Sequence, residues 1–194
     1  MESQQDSNQA SGHSGDAVVS AADVVRELSA RSLTVATAES LTAGLCAATL
    51  ASVPGASAVL RGGLIVYATE LKARLAGVDD ELLRDRGPID PDVAEQLARG
   101  AADKCGADIG VGLTGVAGPD PQDGHDVGEV YVGVWFQGVA THRAVDVSGI
   151  LDAESSQQGG AATREKIRRA AVDFAFRVIL ETVTGVVWHH TYVG

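Results

Sequence analysis

Basic residues are scarce in this chain: 15 Lys and Arg stand against 26 Asp and Glu, a net charge of −11. No stretch concentrates them. Nucleic-acid binding needs clustered cations to neutralise phosphates, which argues against nucleic acid as the main ligand and leaves room for one local phosphate pocket. Cysteine is scarce too. Cys46 and Cys105 form no disulfide framework and fit a reducing compartment, so a cytoplasmic location is expected. No apolar run reaches the length of a membrane span, and the N-terminus lacks the charged and apolar regions of a signal peptide. Neither an internal repeat nor a Walker lysine pattern is present. What is present is a chain of 194 residues, 45% hydrophobic, enough for one domain with a sizeable core.

Residues 1–16 are rich in Ser, Gln, Asn and Gly and are expected to be disordered. Residues 17–185 form the expected domain, and 186–194, with Trp188, His189 and His190, a tail. Helical spacing runs from Ala17 to about Ala30. Leu33 to Thr37 reads as a strand, and helical spacing resumes at Leu41 until Pro54-Gly55. Gly62 to Tyr67 is a continuous apolar run, expected of a strand covered on both faces. Thr69 should cap a helix through Leu75, and Leu82 to Arg86 should form a short one. Asp90-Pro91-Asp92 is a strong start signal for a helix ending before Gly106. Ala107 to Leu113 is the next strand, followed by a Gly/Pro/Asp-rich loop from Thr114 to Val127.

Glu129–Phe136 and Thr141–Val147 alternate and should pair as an antiparallel hairpin turned at Gln137-Gly138. Ser148 to Ala162 reads as a long polar loop and Thr163 to Thr182 as a final helix. The order implies a three-layer α/β/α sandwich with a mixed, mostly parallel sheet and one antiparallel hairpin. Ligands bind such sheets beyond the carboxyl ends of strands. There Glu39–Gly44, Tyr67–Lys72 and Thr114–Asp120 should converge.

Gly110-Val-Gly112-Leu-Thr-Gly115 matches a dinucleotide-binding pattern but lies inside a strand, with no helix opening after it, and is rejected. Asp120, Asp123, His125 and Asp126 match no familiar metal-ligand spacing and read as a solvated loop. His142 and Asp146 are separated by about 13 Å of extended chain and form no relay. Ser40 begins the stretch after the first strand. A serine there is a good helix N-cap, and it is also a candidate nucleophile at the positive end of a helix. Lys72 is the candidate base, provided it is held neutral; otherwise it is a solvated helix residue.

Taken together, these loops resemble one family. Ala38-Glu39-Ser40-Leu41-Thr42-Ala43-Gly44 resembles its A-E-S-x-T-G-G signature. Arg61-Gly62-Gly63 through Tyr67 to Lys72 resembles its R-G-x(4)-Y-x(4)-K segment. Gly115-Val-Ala-Gly118-Pro119-Asp120 with Val127-Gly128 resembles G-I-A-G-P-D…V-G, and Arg164 with Arg168 resembles an arginine pair opening the last helix. The family is the CinA C-terminal domain, or nicotinamide mononucleotide deamidase, family. The resemblance implies a cytoplasmic amidohydrolase of pyridine nucleotide salvage. It would act without metal or cofactor through Ser40 as nucleophile and Lys72 as base, with Tyr67 orienting the lysine. It also implies substrate contacts from Glu39, Thr42, Gly44, Thr114, Gly115, Gly118, Arg164 and Arg168, with one arginine on the phosphate. The partner would be a small nucleotide, without nucleic acid or membrane, in a stand-alone homo-oligomer.

Three departures stand out. Ala43 replaces a usual glycine, Gly87-Pro88-Ile89-Asp90 replaces G-A-V-S, and a longer loop, Gly149 to Thr163, replaces G-D-R. They keep a second reading open: a catalytically degenerate nucleotide-binding or partner-binding module on the same fold.

Overall fold

The computed structural model describes residues 19–154 and 160–185. The expected disordered segment 1–16 and the tail 186–194 lie outside them. The first helix, α1 (Ala21–Arg31), starts at a capping box in which Ser20 and Asp23 satisfy each other's backbone N–H groups. That local chemistry puts its start later than the Ala17 suggested by spacing. Strand β1 (Val35–Glu39) also lies two residues later than expected, because it is paired on both edges. It runs parallel to β2 (Leu60–Ile65) on one side and to β3 (Ile109–Gly115) on the other.

Helix α2 (Leu45–Ala51) opens at Gly44, four residues beyond the expected start, so Ser40 is not its N-cap. Thr69 is the first residue of α3 (Thr69–Ala76), not its cap. Helix α4 (Asp80–Arg86) is capped by Asp79. The Asp90-Pro91 signal holds for α5 (Pro91–Cys105), with Asp90 accepting from the Asp92 N–H. Strands β4 (Val130–Phe136) and β5 (Val139–Ala144) form the expected hairpin, β5 starting two residues early. Gln137 and Gly138 both have positive φ, as a two-residue type I′ turn requires.

The long polar loop was a misreading. Ser148–Glu154 is a helix, α6, its first N–H capped by Asp146, and α7 (Gly160–Thr184) begins earlier than Thr163. Ile150 and Leu151 pack on the core, a pair too sparse to show against that polar sequence.

The sheet order is β2-β1-β3-β4-β5, with β4 antiparallel to both neighbours. Helices α3, α4 and α5 cover one face; α1, α2, α6 and α7 cover the other. This is the expected three-layer sandwich. The Gly62–Tyr67 run, however, belongs to an edge strand and not to a covered one. Burial alternates along β2, and Ile65 is 54% exposed. Apolar content alone does not distinguish an edge from the centre.

Gly110 and Gly112 have a packing role. A Cβ on Gly110 would lie 1.8 Å from the Ala98 carbonyl oxygen, and one on Gly112 would lie 2.2 Å from that of Ala94. Gly133 on β4 meets Ala94 in the same way, so α5 sits against bare backbone. No helix among the described residues is long and apolar enough to cross a membrane.

Candidate functional site

Strand β1 lies where the chain's crossings change direction, outward to β2 and then back across to β3. A crevice forms at such a point beyond the carboxyl ends of the strands. Ser40, Leu41, Tyr67, Lys72, Pro88, Ile89, Thr114 to Gly118, Asp120, Gln122 and Arg164 line a cavity there of about 70 Å³. All three expected loops contribute to it. Pro88 and Ile89, from the α4–α5 connection, also line it; the sequence marked them only as part of a departure from the family pattern. The Thr114 hydroxyl donates to the Pro88 carbonyl at 2.6 Å, tying that connection to β3, and nothing in the local sequence signals such a link.

Lys72 is 1% exposed, although it lies in the first turns of a surface helix. Its Nζ donates to the carbonyls of Val66 (3.1 Å) and Tyr67 (3.4 Å). Burial pushes its pKa down from 10.5 to about 8, against the opposing pull of the Glu70 carboxylate. Tyr67 therefore holds the lysine through its main chain. Its hydroxyl accepts from Arg164 Nη2 at 2.9 Å. Arg164 also donates through Nη1 to the Gly118 carbonyl, so it joins the second and third loops across the cavity mouth.

Other residues proposed from sequence lie elsewhere. Glu39 is 1% exposed and does not line the cavity. Its carboxylate accepts from Thr37 Oγ1 and the N–H groups of Gly44, Cys46 and Ala47. It caps α2 from outside the helix. The sequence carries a signal for this: α2 has no Ser, Thr, Asp or Asn at its own cap position, and an acid stands five residues upstream. Thr42 is buried behind the turn and Gly44 is the N-cap of α2; neither lines the cavity. Arg168 points its Nε and Nη2 at the carbonyls of Leu41 (3.0 Å) and Thr42 (2.8 Å) and its Nη1 at Glu165. Thr114, Gly115 and Gly118 do line the cavity.

The departures are also located. Ala43 adopts φ 50° on the exposed side of the turn, a conformation glycine reaches without strain. Asp90 is not part of the cavity lining and is held by Arg86 at 2.7 Å and by the Asp92 N–H. Among the described residues, Asp92, Glu95 and His142 are the ones whose metal-ligating atoms gather, within 4.8 Å. Arg86 already occupies the Asp92 carboxylate and Glu95 bonds His142, which accounts for the cluster without an ion.

Residues 18–183 match the sequence model of the CinA C-terminal domain. The chain belongs to that family. A competence-damage-inducible relative from Streptococcus pneumoniae (strain ATCC 700669 / Spain 23F-1) is 36% identical over 165 residues, 85% of this chain and 37% of that protein. A CinA-like protein from Frankia casuarinae is 44% identical over 119 residues, 61% of this chain and 28% of its own length. The chain thus spans little more than a third of the first relative. Among solved structures, the competence/damage inducible protein CihA from Agrobacterium tumefaciens has a TM-score of 0.73 at 29% identity, covering 84% of this chain and 93% of that one. A CinA superfamily protein from Klebsiella pneumoniae 700603 has a TM-score of 0.74 at 26% identity, covering 86% and 96%.

Proposed function

We propose that this CinA domain hydrolyses the carboxamide of nicotinamide mononucleotide, giving nicotinate mononucleotide and ammonia through an acyl-enzyme on Ser40. The observation that carries the reading is Lys72. A buried lysine with a pKa of about 8, in the same cavity as a serine at the end of a central strand, is a base that can work near neutral pH. A structural lysine gains nothing from such burial and costs the fold energy.

In this scheme neutral Lys72 takes the Ser40 proton as Oγ attacks the carboxamide carbon. The protonated lysine then gives that proton to the departing nitrogen, which leaves as ammonia. Water, deprotonated by the same lysine, cleaves the nicotinoyl ester and frees Ser40. The oxyanion cannot be assigned to the start of α2, as helix position alone suggested, because Glu39 already holds those N–H groups. We assign it to the backbone of Leu41, beside the nucleophile, and of the Ala117–Gly118 turn, both at the cavity. A cavity of about 70 Å³ suits the carboxamide end and leaves the ribose and phosphate toward the mouth, where Arg164 stands.

The test is ammonia release from nicotinamide mononucleotide by purified protein, with Ser40→Ala as control. Turnover by the parent chain and a loss of about 10³-fold or more in Ser40→Ala is expected. A parent chain that binds the nucleotide without turnover would favour the degenerate binding module.

A further inference from the structure

The Ser40 turn is held by two charged side chains, buried Glu39 and half-buried Arg168. The chain leaves β1 at Glu39, runs through Ser40 to Gly44, and then delivers three N–H groups back onto the Glu39 carboxylate. Oε2 accepts from Gly44 (2.8 Å) and Cys46 (3.0 Å), and Oε1 from Ala47 (2.9 Å) and the Thr37 hydroxyl (2.9 Å). That fills the accepting capacity of both oxygens. From α7, Arg168 donates to the Leu41 and Thr42 carbonyls. The turn's origin is fixed as well, since Ser40 N–H donates to the Leu113 carbonyl and the Glu39 carbonyl accepts from Val66 N–H.

We infer that Glu39 is a positioning residue for the nucleophile: its carboxylate closes the turn on itself and, together with Arg168, sets where Ser40 Oγ stands. The inference rests on Ser40 being the nucleophile of the reaction proposed above. Glu39 has neither a free lone pair nor exposure to meet a ligand, so it acts through Ser40 alone.

The substitution Glu39→Gln tests this. Glutamine has nearly the same shape and one fewer acceptor. Placed at the Oε1 position, its amide can donate to the Thr37 hydroxyl yet faces the Ala47 N–H. Placed at Oε2, it faces two N–H groups. Either way part of the closure opens. Ser40 reactivity is read with a fluorophosphonate reagent, which needs an aligned serine and no nucleotide, beside kcat and KM for nicotinamide mononucleotide. In folded Glu39→Gln the labelling rate constant and kcat should both fall about 30-fold or more, with KM within about threefold. A merely structural role would lower the labelled fraction and leave the rate constant of the folded protein unchanged, and that result overturns the inference. Should Glu39→Gln fail to fold, Thr37→Val removes one of the four bonds. It should slow labelling about threefold, and an unchanged rate constant sinks the proposal equally. Labelling of the parent chain without turnover of the nucleotide would refute the substrate and leave the positioning role standing. A parent chain whose Ser40 does not label would overturn both.

Discussion

The α5 contact and the carboxyl edge of the sheet are built on opposite principles. Along the face covered by α5, side chains are subtracted. Gly110, Gly112 and Gly133 let the α5 backbone at Ala94, Ala98 and Ala102 lie directly on the strands. At the carboxyl edge charge is added. Lys72 and Glu39 are each 1% exposed, and Thr37, Thr42 and Thr114 are buried beside them. Close apolar packing stabilises, whereas a buried lysine opposes folding. The contrast locates the stability at the α5 contact and the chemistry at the carboxyl edge, and five substitutions test whether that division holds.

The largest effect should come from Lys72. Lys72→Met should cost several orders of magnitude in kcat, since no base remains. It should also make the fold more stable. Lowering the pKa from 10.5 to about 8 is a cost to the folded state of roughly 3 kcal/mol below pH 8. The sign follows from proton binding: between about pH 8 and 10.5 the unfolded chain holds more protons on this group, so stability rises with pH there. Losing the bonds to the Val66 and Tyr67 carbonyls offsets about 1–2 kcal/mol of the gain. A melting temperature a few degrees higher at pH 7, with the advantage gone by pH 10.5, is expected. In the parent chain, kcat/KM should rise with pH through about 8 as the lysine loses its proton. A flat profile over pH 6–9 would remove Lys72 as the base.

Where α5 lies on the sheet, Gly110→Ala should destabilise by about 3 kcal/mol or more, because its Cβ meets backbone that cannot swing aside. Urea unfolding measures this. A loss below 1 kcal/mol would mean that α5 can lift off the sheet, and the rigidity assigned to that face would be wrong.

The layer class and the hairpin were legible because they rest on signals local to each segment: the Asp90-Pro91 cap, the Gln137-Gly138 turn and the alternation in Val130–Phe136. The convergence of three loops followed from the sheet rule. What sequence did not reveal was the use of polar groups across long separations. The family resemblance put Glu39 among the substrate contacts, yet a strand turns successive side chains to opposite faces, and its carboxylate accepts from the start of α2 instead. Arg164 and Arg168 looked equivalent by spacing. They differ because the chain segments facing them differ, Tyr67 and Gly118 for one, Leu41 and Thr42 for the other.

That difference makes the next prediction. Arg164→Met should raise KM for the nucleotide about 10-fold or more while changing KM for the unphosphorylated riboside far less. Arg168→Met should instead lower kcat for both substrates alike, because it loosens the Ser40 turn. Steady-state kinetics on the two substrates separates them. Equal behaviour of the two variants would erase the distinction between an arginine that meets ligand and one that holds the chain.

The smallest effect is expected at Ala43, on the same turn but facing outward. Its φ of 50° is left-handed, and an L-residue with a Cβ pays about 1 kcal/mol there. Ala43→Gly removes that strain and at the same time gives the unfolded chain more freedom, worth about 0.4–1 kcal/mol in the opposite direction. The two nearly cancel, so thermal melting should shift by no more than about 2 °C. Residue 43 does not line the cavity, and its neighbours Glu39 and Arg168 hold the turn without its side chain. KM and kcat should therefore stay within twofold of the parent. A tenfold fall in KM on Ala43→Gly would show that the ligand reaches across the outer side of the turn, and the boundary drawn here between the cavity and its scaffold would have to move to include it.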